Sequence, residues 1–306
     1  MEKFTRWRDP STGIAPFYPI RQYENISLAI LIPLRISLSV IRGSLVAFVF
    51  FVYFVLTTIL NFLFGKACPK LVSFVHNSLL QLILFLLGFL NTRFTKIGSF
   101  VQGDSLQPGD IIAVNHTSPI DVLILALRYN PVFVASYADS QYVTTSSTWT
   151  EFKQCFNSEK RKTPVKGAIT LSKAANYAHQ KKRLLVVFPE GFCSNGRAIC
   201  KFTNCLTSAG PQDRIFLLYI KYMQGDLTLG VPSIVAFAKT FFSYFVFETR
   251  LRFSAEPIIP RNTLDVTKEV SEQLAKLGRV RQVQLGLSDR EEFLQYWFHT
   301  KRGKSA

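Results

Sequence analysis

Residues 108–128 read PGDIIAVNHTSPIDVLILALR, and the order of elements in this stretch decides the fold. After the Pro108-Gly109 turn, Asp110 to Val114 has the apolar, β-branched character of a buried strand. The run ends in Asn115-His116, a loop containing Pro119 follows, and Asp121 opens an apolar helix read over Val122 to Arg128. The alternation continues downstream. Pro131 to Ser136, Leu184 to Phe188 and Ile215 to Tyr222 read as strands, and residues 168–181 as a helix. Strands alternating with helices predict an α/β fold, a sheet flanked by helices. Residues 233–247, SIVAFAKTFFSYFVF, carry only Lys239 as a charge and read either as core or as a helix skimming a membrane. Val266, Val270, Leu274 and Leu277 then share a helical face that Gly278 ends. Ser288-Asp-Arg-Glu291 predicts a capping box for a last helix that turns Phe293, Leu294 and Trp297 inward.

Upstream the chain changes character. Leu45 to Phe64, LVAFVFFVYFVLTTILNFLF, is 20 residues without a charge. At about 1.5 Å per residue it matches a hydrocarbon layer of roughly 30 Å. Leu71 to Leu90 is nearly as apolar, interrupted in its first half by His76, Asn77 and Gln81. The two segments predict a helical hairpin that dips into or crosses one membrane. Arg42, Lys66, Lys70, Arg93 and Lys96 leave its orientation open. Ile26 to Ile41, broken by Pro33 and Arg35, reads as an interfacial helix. Residues 1–25, with Pro10, Gly13, Pro16 and Pro19, read as an arm that orders on contact. The start is not a secretory signal, so the apolar segments are expected to stay in the mature protein.

Composition agrees with a membrane setting. Apolar residues make up 48% of the 306, 28 are Phe, and the net charge is +16. A basic, apolar chain suits a bilayer with anionic head groups or phosphorylated substrates. Nucleic acid is not an expected partner, because no basic-aromatic sheet motif, zinc knuckle or heptad accompanies the charge. The five cysteines form no C-x-x-C, and their odd number argues against a disulfide framework. Cys193, Cys200 and Cys205 have no neighbouring histidine in sequence, so reduced thiols and no metal are expected.

Two blocks carry the chemistry. In Asn115-His116-Thr-Ser-Pro-Ile-Asp121, a loop folding back would bring the carboxylate to the imidazole. That fixes the tautomer and leaves the other ring nitrogen to take a proton from an alcohol. By itself the spacing is equally met by a helix-capping Asp beside an incidental His. The second block, Val187-Phe-Pro-Glu190-Gly191-Phe-Cys193-Ser194-Asn195-Gly, runs a strand into a carboxylate and open backbone amides. Glycine there lets a glycerol or phosphate group approach the main chain.

Together the blocks resemble motifs one and three, NHxxxxD and FPEG, of the glycerolipid acyltransferase superfamily over residues 98–262. The strings EKFTRWRDPSTGIAPF, PEGFCSNG and LSDREEFLQYW are similar to the fungal lysophosphatidic acid:oleoyl-CoA acyltransferase group of lipid droplets and endoplasmic reticulum. The resemblance implies a mixed sheet flanked by helices and direct acyl transfer from acyl-CoA, a co-substrate, with no cofactor. It implies that His116 is the base, that Asp121 holds it, and that Glu190 and Gly191 bind a phosphoglycerol acceptor. No Gly-x-Ser-x-Gly elbow is present, and Ser118 and Cys193 lack a dedicated base.

The sequence departs from the family pattern in three places. No clean motif two lies between Asp139 and Leu171, where Lys160-Arg-Lys162 and Lys166-Gly167 are the candidate cations. Phe192 and Cys193 replace the usual Thr-Arg of motif three, and Leu217 replaces the Pro of motif four. The expected acceptor set is therefore Asn115, Glu190, Gly191, Ser194, Asn195, Arg197 and Lys201.

The expected organisation is an arm at 1–25, membrane-associated helices at 26–97, an acyltransferase domain at 98–262 and a helical tail at 263–306. The expected partners are acyl-CoA, a lysophospholipid and the surface of a membrane or lipid droplet, with the catalytic domain facing the cytosol. The alternatives are another head group (ethanolamine, choline or inositol) or a non-catalytic membrane scaffold on the same fold. An intact His/Asp pair favours the enzyme. His76, His179 and His299 have no partner in sequence and read as structural.

Overall fold

The computed structural model describes residues 5–20, 32–65, 67–98, 105–138, 140–157, 164, 167–244, 246–260 and 263–302. The expected α/β architecture is observed, with helices on both faces of a mixed sheet. Strands β1 (Asn91–Ile97), β2 (Ile111–Val114), β3 (Val132–Tyr137), β4 (Ser140–Ser146), β5 (Ile169–Thr170), β6 (Leu185–Val187), β8 (Ile215–Tyr222) and β9 (Glu248–Ser254) form one sheet in the order β1-β9-β8-β2-β6-β3-β4-β5. Its centre, β8-β2-β6-β3, is parallel, whereas β4 and β5 add antiparallel at one edge and β9 at the other side of β8. A short second sheet pairs β7 (Ala198–Ile199) with β10 (Arg281–Gln282).

Central strands covered on both faces must be apolar throughout, which is why Ile111–Val114 shows no alternation of polar residues. Ile112, Val114, Val186, Phe216 and Leu218 face α2 (Pro69–Leu87) and α3 (Pro119–Tyr129). Ile111, Ala113, Leu185, Ile215 and Leu217 face α5 (Leu171–Gln180) and α7 (Thr263–Gly278). Residues 233–247 contribute only one helix, α6 (Ile234–Ser243).

The hairpin differs from the expectation in two ways. First, α1 runs unbroken over Ile32–Phe64, so within the described residues the interfacial segment and the first apolar segment are one helix. Pro33 is the second described residue of this helix and does not interrupt it. Second, α2 ends at Leu87 on a left-handed Gly88, and Leu90 leads directly into β1. Because β1 pairs with β9, the sheet begins at Asn91, inside the stretch assigned to membrane helices and ahead of the expected boundary at 98.

Both helices are long and apolar enough to cross a membrane. Val40–Leu60 has a mean hydropathy of 2.3 and only 11% of it is buried. Phe48, Phe51, Phe62, Phe74 and Phe85 are exposed, as are Ile234 and Val235 on α6, which packs against α1. An apolar surface this extensive on one side associates the protein with a membrane. The other side of α2 is different, since Leu80 and Leu84 join α3 in the main core. Arg42 of α1 donates to the carbonyl oxygens of Leu86 and Tyr244 and so ties the two helices to the end of α6. His76 finds a partner that the sequence did not reveal. Its Nδ1 lies 2.7 Å from the Tyr53 hydroxyl, which also accepts from Trp149 Nε1 at 3.2 Å. Trp149 belongs to α4 (Thr148–Gln154), so the polar residues of the hairpin meet the catalytic domain.

The C-terminal region is not a separable tail. Val266, Val270 and Leu274 of α7 complete the core under β8. At the end of α7 the left-handed residue is Arg279; Gly278 is required for another reason, because a Cβ there would enter the Tyr219 ring. Helix α8 (Leu287–Arg302) starts one residue ahead of the expected cap at Ser288, and the Asp289 carboxylate accepts the Gly286 amide at 2.8 Å instead. Phe293, Leu294 and Trp297 do point inward, against Trp7 and Phe17 of the N-terminal arm. Ring centroids 5.6 Å apart for Trp7–Phe293 and 5.8 Å for Phe17–Phe293 clamp the two ends of the chain together.

Candidate active site

Motif one is built by strand, cap and helix in immediate succession. Asn115 closes β2 by exchanging two hydrogen bonds with the Ile220 backbone of β8, at 2.7 and 3.0 Å. Ser118 is the N-cap of α3 and Asp121 completes a capping box. Oδ2 of Asp121 accepts from the amides of Thr117 (2.8 Å) and Ser118 (2.9 Å) and from His116 Nδ1 (3.1 Å). Oδ1 accepts from the Tyr222 hydroxyl at 2.5 Å. One carboxylate thus caps the helix and orients the imidazole. The His116 ring stacks on Phe188, with centroids 4.0 Å apart and planes 19° from parallel. With Nδ1 held by Asp121, Nε2 is the nitrogen turned to the cavity.

Motif three continues from β6. Glu190 is fully buried and accepts from the His116 amide (3.4 Å) and the Cys200 amide (3.1 Å). It ties the two motifs together at the backbone. Burial pushes this carboxyl up to about 7. Gly191 adopts φ +76°, and a Cβ there would come within 3.1 Å of Ser136 Oγ and 3.3 Å of a Thr203 methyl, so only glycine fits.

A narrow cavity of ≈ 30 Å³ lies at Nε2, lined by His116, Gly191, Cys155, Cys193, Glu151 and Arg290 among others. Cys155 Sγ is 3.3 Å from Nε2, and Cys193 Sγ lies within 4.8 Å of Cys155 Sγ and of a His116 ring nitrogen. Burial opposes ionisation of Cys193, whereas the Cys155 thiol and His116 beside it favour the thiolate. Burial likewise opposes the charged imidazole, while Cys193 and then Asp121 raise His116. The two groups contend for one proton. When Cys193 holds it, the Nε2 lone pair faces the cavity and can act as a base.

The family profile named Acyltransferase matches residues 99–209. A "Putative lysophosphatidic acid:oleoyl-CoA acyltransferase" of Schizosaccharomyces pombe is 46% identical over 301 residues, covering 96% of this chain and 97% of its own. The chain belongs to the acyltransferase family. Among solved structures, the 1-acyl-sn-glycerophosphate (LPA) acyltransferase PlsC of Thermotoga maritima aligns with a TM-score of 0.48 and 14% identity, over 79% of this chain and 94% of that one.

In this acyltransferase the expected residues divide into three groups. His116, Asp121 and Gly191 come together at the cavity. Four others belong to the framework, because their polar atoms are used internally. Asn115 holds β8 and Glu190 holds two amides. The Ser194 amide donates to the His116 carbonyl at 2.8 Å. Asn195 Nδ2 donates to the Ala15 and Tyr18 carbonyls at 2.7 and 2.9 Å, which fastens the arm. Arg197 lines a separate cavity of ≈ 500 Å³ with Lys221 and Thr117. Lys201 is exposed beside Gly286. Of the motif-two candidates, Lys160 to Lys162 and Lys166 lie outside the described residues. Two residues at the cavity, Cys155 and Arg290, escaped the sequence reading, as did the proximity of Cys193 to His116. Arg290 arrives on α8, with its guanidinium 5.3 Å above the Phe192 ring.

Proposed function

We propose that this acyltransferase esterifies a lysophospholipid from acyl-CoA, with lysophosphatidate to phosphatidate as its main reaction, at an endoplasmic reticulum or lipid-droplet surface. One observation supports this most directly: an imidazole fixed at Nδ1 by a buried carboxylate, presenting Nε2 to a cavity beside the Glu-Gly turn. The 46% identical relative named for lysophosphatidate and oleoyl-CoA supports the choice of acceptor and donor. In the reaction Nε2 takes the proton of the lysolipid hydroxyl as its oxygen attacks the thioester carbonyl, and CoA leaves as thiolate. Asp121 stabilises the imidazolium that forms. A positioned base of this kind contributes about 10²–10⁴ in rate. Arg290 supplies the cation for the acceptor phosphate that the family pattern would put at Cys193, although Glu151 and Glu291 border the same cavity.

Cys193 next to His116 favours one other route on this site. Its thiolate would take the acyl group from CoA as a thioester and then yield it to the lysolipid hydroxyl. Direct transfer is preferred because Cys193 is only 2% exposed.

The deciding experiment is a panel of lysophospholipids against labelled oleoyl-CoA with the purified protein. Highest kcat/KM on lysophosphatidate is expected. Preference for an ethanolamine, choline or inositol head group would replace the acceptor, and no transfer to any acceptor would reject the enzyme. A hydroxylamine-labile label on the protein in the absence of acceptor would select the two-step route.

A further inference from the structure

Cys155, Cys193 and His116 are separated by 38 and 39 residues along the chain, yet Cys155 Sγ, Cys193 Sγ and a His116 ring nitrogen all lie within 4.8 Å of one another. Among the described residues no other set of three or more His, Cys, Asp or Glu groups converges in this way. In tetrahedral zinc sites, Zn–S of about 2.3 Å and Zn–N of about 2.05 Å place ligand atoms roughly 3.6–3.8 Å apart. The 3.3 Å between Cys155 Sγ and Nε2 is already close to that spacing. We propose that these three side chains form a binding site for a soft divalent cation, zinc by preference, and that its occupancy blocks acyl transfer by taking the Nε2 lone pair.

Three features of the surroundings carry the idea. The donor set is two sulfurs and one imidazole, which selects zinc or cadmium over magnesium or calcium. Asp121 holds Nδ1 at 3.1 Å, so a cation on Nε2 would complete a carboxylate–histidine–metal arrangement, in which the carboxylate fixes the tautomer and strengthens the ligand. Two thiolates would neutralise a divalent cation, which suits a site where all three residues are buried. Binding would release the thiol protons and leave a fourth position toward the cavity for water. Neither Cys155 nor Cys193 has an assigned part in direct transfer, and the cluster gives the pair one. The blocking half of the proposal rests on His116 being the base; the binding half does not.

The test uses the full chain in detergent, stripped with EDTA and dithiothreitol and then titrated with Cd²⁺, whose thiolate complexes absorb in the ultraviolet. One Cd²⁺ per chain with a two-thiolate band is expected, displaced by Zn²⁺. Acyl transfer should fall with Zn²⁺ occupancy and return on adding EDTA, but not on adding a phosphine reductant that carries no thiol. Cys155→Ser should halve the band and raise the half-inhibiting Zn²⁺ concentration by roughly 10–100-fold, and Cys193→Ser should likewise halve the band. Cys68→Ser, which alters an exposed thiol, should leave the band intact. A band unchanged by both Cys155→Ser and Cys193→Ser, or inhibition reversed by reductant and not by chelator, overturns the proposal. If Cd²⁺ binds through these thiols while no acceptor is acylated, the metal site stands and the enzymatic reading falls.

Discussion

Replacing Asp121 with Asn separates the two duties of this carboxylate. The amide oxygen can take the place of Oδ2 and keep the bonds from the Thr117 and Ser118 amides, so the cap of α3 survives. The amide nitrogen then faces the Tyr222 hydroxyl, which can rotate to accept. What disappears is the negative charge next to His116 Nδ1, 3.1 Å away. Charge centres about 4 Å apart interact by about 4 kcal/mol at an effective permittivity of about 20. Since that attraction acts only once His116 has become an imidazolium, its loss falls on the transition state. At about 1.36 kcal/mol per tenfold, kcat/KM should drop by roughly 10³. The assay is transfer of labelled oleate from oleoyl-CoA to lysophosphatidate, alongside thermal unfolding of both proteins. Activity within tenfold of the parent at unchanged stability would refute the assignment of Asp121 to the base.

Glu190 gives a pH signature. Its folded-state value of about 7 stands above the ordinary 4.5, so the fold binds an extra proton between those pH values. The stability contributed by Glu190 should therefore be fully present below about pH 4.5 and decline by about 3 kcal/mol as pH rises through 7, a slope that denaturant unfolding should find removed in Glu190→Gln. Gly278→Ala drives a methyl into the buried Tyr219 ring and should cost about 1–3 kcal/mol, read as a fall in Tm with little change in KM. Phe293→Ala empties the centre of the cluster joining arm and tail, at about 3–5 kcal/mol. Limited proteolysis should then cut within residues 5–20, and an uncut arm would show that the cluster does not hold it.

What the sequence made legible was local. His116 and Asp121 lie five positions apart across one cap, and the strand and helix beside them follow from apolar runs, so their meeting could be anticipated. Ile215–Tyr222 was readable at its bounds because six successive buried residues, Ile215 to Ile220, leave Lys221 as its one exposed side chain. Most of what the sequence left hidden is long-range. Glu190 looked like an acceptor ligand because nothing in Pro-Glu-Gly reveals that its two oxygens are used by amides 74 residues before it and 10 after it. Asn115 and Asn195 misled in the same way, since a buried amide side chain and a ligand-binding one have the same letter. Cys155 and Arg290 carry no motif at all; the packing of α4 and α8 brings them to the cavity. Pro33 and Arg35 suggested a break between the interfacial and first apolar segments, whereas α1 runs unbroken from Ile32.

Leu80 and Leu84 of α2 lie in the same core as Ile120 and Leu123 of α3, whose first turn holds Asp121. Anchor and enzyme are therefore not detachable modules. Trimming the chain at Gly88 to make it water-soluble would strip the floor from the helix whose first turn holds Asp121 against His116. Depth in the bilayer and alignment of His116 form one mechanical variable, so thinning, tension or a short-chain detergent that lifts α2 pulls on the active site itself.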